Sequence, residues 1–208
     1  MKKLSMAKNA FLTESDAIKR ALELFDEREY DKAVELIAAS PRIGSSGCGH
    51  SGIVCAHFTH LMRCIGLTAS FLSPSEALHG GLGFLKSGDV MVLASRGGKT
   101  KELLPIIAFC KKEQVRIIAV TENAESELAK NADALLLMKV TKETDKYNSQ
   151  GTTSSTVLAV IFHALQAEVI ERIGFKNEEF AVIHPNGAVG ERLNKNNFEK
   201  RSDYGTTF

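Results

Sequence analysis

The sequence predicts an α/β fold in which a parallel sheet is sandwiched by helices as three layers, with a helical arm at the N-terminus. Three observations carry the prediction. Short β-rich runs at 68–72, 90–94, 115–120 and 134–140 are apolar along most of their length rather than alternating, the pattern of strands covered on both faces. Segments with helical apolar spacing separate them, as in a chain of β-α units. Glycine- and hydroxyl-rich clusters also follow β-type runs and open helices, at the strand ends where open parallel sheets bind ligands.

From the N-terminus, residues 15–39 set Ile18, Ala21, Leu22 and Phe25, then Ala33, Val34 and Ile37, at three- and four-residue steps among charges, so two helices are expected before the core. Pro41 closes that region. Residues 42–45 read as a first strand running into the cluster 44–52, and 51–67 as a helix with apolar residues round much of its circumference. The four runs above supply the next strands, with helices over 101–112 and 126–131 between them. Residues 142–151 are polar and read as a loop, after which 153–173 forms a long apolar helix stopped by Gly174, a residue suited to a left-handed cap. The polar tail beyond Asn194 is expected to be disordered.

Composition narrows the partners. Lys plus Arg (26) nearly balance Asp plus Glu (25) in 208 residues, with signs interspersed, so no basic stripe points to nucleic acid. Cys48, Cys55, Cys64 and Cys110 show no C-x-x-C spacing and no secretory signal precedes them, which suits free thiols in a reducing cytoplasm. The longest apolar run, 157–162, falls well short of the ~20 residues a membrane span needs. A soluble cytoplasmic protein with no membrane partner is expected.

The chemistry lies in the clusters. Glycines and small hydroxyl residues at a helix start leave backbone N–H groups free to face an anion, and the helix dipole favours negative charge there. Clusters at 44–52, 95–100 and 152–156 therefore suggest a phosphorylated small molecule. Gly47-Cys48-Gly49-His50-Ser51-Gly52 is also a literal G-x-G-x-x-G, so a dinucleotide site and a mere tight turn are both open for it. The dinucleotide reading wants an acid at the end of the second strand, where this chain has Phe71-Leu72-Ser73 and offers only Glu76 beyond Pro74. Ser95-Arg96-Gly97-Gly98-Lys99-Thr100 sits at a similar junction, with Glu102 just beyond, and could be a turn with an N-cap. The run Thr152, Thr153, Ser154, Ser155, Thr156 holds more hydroxyls than capping requires. His57 and His60 share a helical face at i, i+3 with no acid or thiol to complete a metal set, and His163 reads as a core histidine. His50, His79 and His184 lie beside glycine or proline in loops near strand ends, where chemistry concentrates.

Together these clusters, Pro74-Ser75-Glu76-Ala77-Leu78-His79-Gly80-Gly81-Leu82-Gly83, Gly174-Phe175 and His184-Pro185-Asn186-Gly187-Ala188-Val189-Gly190 resemble a sugar isomerase (SIS) domain. Within that group the resemblance is to the arabinose 5-phosphate isomerases, over roughly residues 42–193. It implies a SIS-type, flavodoxin- or Rossmann-like sandwich in one domain: arm 1–40, α/β core 41–175, a C-terminal site segment 176–193 and a tail 194–208. It also implies aldose–ketose isomerisation of a sugar phosphate through an enediol, with no redox cofactor and no metal. Gly49, His50, Ser51, Ser95, Gly97, Lys99, Thr100, Thr153, Ser154, Ser155 and Thr156 would bind substrate. Glu102, Glu143, His79 and His184 would surround the reacting carbons, a glutamate shuttling the proton with Glu143 ahead of Glu102, and His184 serving ring opening or oxygen polarisation. Without the resemblance, Glu102 is a first-turn carboxylate complementing a helix dipole and Glu143 a solvated loop residue.

The chain departs from the family pattern at four places. His50 stands where lysine is usual, Gly81 for aspartate, Gly97 for serine and Lys99 for glutamate, which leaves a non-catalytic sugar-phosphate sensor as the alternative. The regulatory cystathionine-synthase-type modules that often follow the sugar domain are not expected after Leu193. The family assembles as dimers or tetramers in which the histidine matched by His184 can enter a neighbouring site, so a homodimer or homotetramer is expected.

Overall fold

A computed structural model describes residues 4–193; the tail expected to be disordered lies outside the described residues. Strands β1 (Ile43–Gly47), β2 (Ala69–Phe71), β3 (Val90–Ala94), β4 (Arg116–Thr121) and β5 (Ala134–Leu137) form one sheet in the order β2-β1-β3-β4-β5. All neighbours pair in parallel. The α-helices are α1 (Ser5–Leu22), α2 (Glu27–Ala39), α3 (Gly49–Cys64), α4 (Pro74–Ala77), α5 (Leu104–Lys112), α6 (Glu127–Lys130), α7 (Thr152–Ile173) and α8 (Asn177–Ile183), with 3-10 turns at Gly81–Phe84 and Lys101–Leu103 and further helix over 187–193.

β3 and the middle of β4 are continuously apolar because the pleat sends alternate side chains into two cores. Val90, Val92 and Ala94 of β3, with Ile118 and Val120 of β4, meet α2, α3 and α7 on one face. Met91, Leu93, Ile117 and Ala119 meet α5 and α6 on the other. Each valine, isoleucine, leucine or methionine among them contributes about 1.5–3 kcal/mol relative to an exposed one, so a charge on either face of β3 would open a core.

α7 is long and apolar enough to cross a membrane by length and composition. It is instead the central helix of its layer, burying Val157, Leu158, Ile161, Phe162, Leu165 and Val169 against α1, α2 and α3, and Gly174 ends it in the left-handed conformation (φ 66°). α2 starts where Asp26 accepts from the N–H groups of Arg28 and Glu29, and its Ala33, Val34 and Ile37 join the core. Glu29 then receives the Leu135 N–H at 2.7 Å, tying the helix to the sheet edge.

Several features differ from expectation. α1 begins at Ser5 rather than near residue 15 because Met6, Phe11 and Leu12 face outward, so no core-facing period marks its first half. β5 stops at Leu137, since Val140 donates to the Glu122 carboxylate at 2.6 Å instead of extending a ladder. α8 lacks a continuous apolar stripe, and among its residues only Ala181 is buried.

Candidate functional site

Parallel pairing puts every strand's carboxyl end on one edge, and strand order reverses direction between β1 and β3. Gly47 stands in register with Ala94, so the first two clusters leave the sheet side by side. α3 opens at Gly49 without a side-chain cap, leaving first-turn N–H groups free to face a ligand. Gly52 is required by packing, because a Cβ there would lie 2.5 Å from the Gly47 carbonyl oxygen.

The second cluster folds on itself. The Ser95 and Thr100 hydroxyls are 2.7 Å apart, and Ser95 Oγ accepts from Gly98 N at 3.1 Å. Gly98 holds φ at +66°, and a Cβ would collide with the Ser126 hydroxyl. The helix expected from residue 101 opens as a 3-10 turn, with Pro105 in the first turn of α5, and that turn carries an exposed Glu102. Gly97 and Lys99 are also exposed.

The third cluster is fastened from below by Glu143. Its Oε2 accepts from Ser154 N (3.2 Å) and Thr152 Oγ1 (3.3 Å), and its Oε1 pairs with Arg96 Nη1 at 2.7 Å. Arg96 also pairs with Glu122 at 3.1 Å and donates to the Val140 carbonyl at 2.8 Å, so one guanidinium binds the loops after β3, β4 and β5. At 1% exposure Glu143 is buried and ion-paired, and not the solvated loop residue that its neighbours Lys142 and Thr144 suggest.

Two hollows flank the first cluster. Ser51, Ser95, Ser154 and Ser155 from all three clusters, with His50 and Arg96, line a small cavity of about 20 Å³. That is room for one water. His50 also leans on the third cluster: a Cβ on Gly151 would come within 3.2 Å of its Nδ1. Beside it a cavity of about 470 Å³ is lined by Gly47, Cys48, Gly49, Phe71, Ser75 and Glu102, among others. Burial, and then Glu102, raises the Cys48 thiol above its ordinary range. Glu102 is the one carboxylate among those lining residues, and the end of β2 presents none for a dinucleotide ribose.

Several expected residues stand apart. Thr153 is fully buried with its hydroxyl unpartnered, and neither it nor Thr156 lines the small cavity. His79 is exposed after α4 and lies outside the larger cavity's lining, although Pro74 and Ser75 belong to it. His184 follows α8, stacked on Phe180 with ring centroids 5.3 Å apart. Its neighbour Ile183 lies against Gly66, past the far end of the 16-residue α3. That helix spans about 24 Å, so His184 sits at the opposite edge of the sheet. His163 is exposed, not a core residue, and its ring meets His57. Among the described residues no three His, Cys, Asp or Glu side chains converge to hold a metal. Arg96 and Cys48 are the site neighbours that sequence reasoning passed over, though both lie inside the quoted clusters.

Residues 36–167, which contain all three clusters, match the SIS domain. The chain is 34% identical over 191 residues to arabinose 5-phosphate isomerase KpsF of Escherichia coli, covering 91% of this chain and 58% of that protein. It is 35% identical over 181 residues to arabinose 5-phosphate isomerase KdsD of Pseudomonas aeruginosa, covering 86% and 55%. The chain thus spans little more than half the length of these relatives. An Escherichia coli protein solved in complex with arabinose 5-phosphate superposes with a TM-score of 0.83 at 25% identity, over 89% of this chain and all of that one. The sugar isomerase domain of an RpiR transcription factor from Sphaerobacter thermophilus shares the fold, with a TM-score of 0.71 at 20% identity, over 89% and 96% of the two chains. A five-stranded parallel sandwich whose glycine- and serine-lined turns meet at one edge, matched over most of its length, places this chain in the SIS domain family.

Proposed function

We propose that this chain binds a phosphorylated sugar and interconverts its aldose and ketose forms in the cytoplasm, with an arabinose 5-phosphate-like compound as substrate class. The observation that supports it is the meeting of Ser51, Ser95, Ser154 and Ser155 around one small cavity beside a larger one that carries Glu102. Phosphate oxygens would take hydroxyl and helix-start N–H donors at the first, leaving the carbon chain to lie in the second. Glu102 removes the proton from C2 to give an enediol and returns it to C1, while a proton passes from O2 to O1. Glu143, whose oxygens already meet Arg96, Ser154 N and Thr152, holds the third cluster in place instead. His184 reaches such a site only across an interface between copies, so this reading includes a homodimer or homotetramer, with neither nucleic acid nor membrane as partner.

A phosphosugar sensor without turnover is the second reading. It draws support from His50, which lines the small cavity where the family usually has lysine, and from an Arg96 already engaged by two carboxylates. A panel of aldose phosphates screened by thermal shift and then incubated in deuterium oxide separates the two. Isomerisation predicts solvent deuterium at C1 or C2 of at least one stabilising sugar. Stabilisation with no exchange into any of them overturns the enzyme and leaves the sensor.

A further inference from the structure

His57 and His163 face each other across the seam of α3 and α7, on the exposed side of a layer whose inner face is core. Their Nε2 atoms are 3.2 Å apart and their rings meet edge to face at 84°. Two imidazole nitrogens on one tetrahedral ion, each at about 2.0–2.1 Å, stand about 3.3–3.4 Å apart, so the pair already has nearly the bite of a chelate. The scaffold beneath is rigid. Phe58 and Phe162, next in sequence to the two histidines, pack with centroids 4.6 Å apart, and Gln166 donates to the Leu61 carbonyl at 2.9 Å across the same seam. His60 lies one turn away on α3, held near Cys64 Sγ at 3.5 Å.

We propose that His57 and His163 form a two-nitrogen site for a late first-row divalent metal, with water completing its coordination. Imidazole donors select copper, nickel and zinc over magnesium or calcium. Two protein ligands make an open, exchangeable site rather than a structural one. No sugar or catalytic residue takes part in it.

Titration of the full chain with Zn²⁺, Ni²⁺ and Mg²⁺ chlorides, by calorimetry and by the metal-induced shift in melting temperature, tests the assignment. Zn²⁺ and Ni²⁺ should each bind with one ion per chain attributable to the pair, and Mg²⁺ should not. Loss of either nitrogen removes the chelate, so His57→Ala and His163→Ala should each weaken binding by about tenfold or more, whereas His60→Ala should leave it unchanged. All three residues are exposed, and circular dichroism would verify that the variants fold. Zinc and nickel binding unchanged in either pair variant, or an equal loss in His60→Ala, overturns the proposal.

Discussion

Two carboxylates at the same edge of the sheet stand in opposite surroundings. Glu143 is buried and saturated, with a guanidinium, a backbone N–H and a hydroxyl on its two oxygens. Glu102 is exposed at the mouth of the larger cavity, on a single 3-10 turn. A carboxylate whose lone pairs are committed to the protein holds a shape, and one that is free can exchange a proton with a ligand. The same separation holds for the loops around them. Arg96 ties three loops into one body, while Ser51, Ser95, Ser154 and Ser155 line the small cavity between the clusters.

Replacing each carboxylate should affect a different property. Glu102→Gln should lower solvent-proton exchange into a bound aldose phosphate by about 10²–10⁴-fold, the usual contribution of a positioned acid–base group, and move stability by less than about 0.5 kcal/mol. Exchange by the variant at the wild-type rate would remove Glu102 from the reaction. Glu143→Ala should instead cost about 2–3 kcal/mol of stability in chemical denaturation, the range for charge-assisted bonds lost from a buried partner, held down because Arg96 is 39% exposed. A variant of unchanged stability that loses exchange would reverse the two roles. The smallest effect concerns the cavity wall. Because burial first and Glu102 second raise the Cys48 thiol, its alkylation should stay slow at neutral pH and accelerate only above the ordinary thiol range. Peptide mapping should show Glu102→Gln speeding that reaction slightly; no change would put Glu102 farther from Cys48 than the shared cavity implies.

Much of the fold was legible because local pattern and burial agree. β3 spans the five residues expected of it, and they are continuously apolar because both faces of the strand are covered. The start of α1 was hidden, since its outward apolar residues give no core-facing period. At the site, the clusters and the exposed Glu102 were legible as residue types at strand ends. The burial of Glu143 was not, because its partner Arg96 lies 47 residues away and neither residue's neighbours hint at the pairing.

The order of apolar runs, punctuated by glycine and hydroxyl clusters, by itself determined a doubly covered parallel sheet with glycine- and hydroxyl-rich turns at its strand ends, because periodicity and turn chemistry are properties of adjacent residues. Only the tertiary structure decided which groups share a cavity. It set Ser95 beside Ser154, engaged Arg96 with Glu143, carried His184 to the far edge and brought His163 to the surface against His57. Those outcomes depend on strand order and helix packing, which join positions tens of residues apart and leave no mark in the spacing around either one.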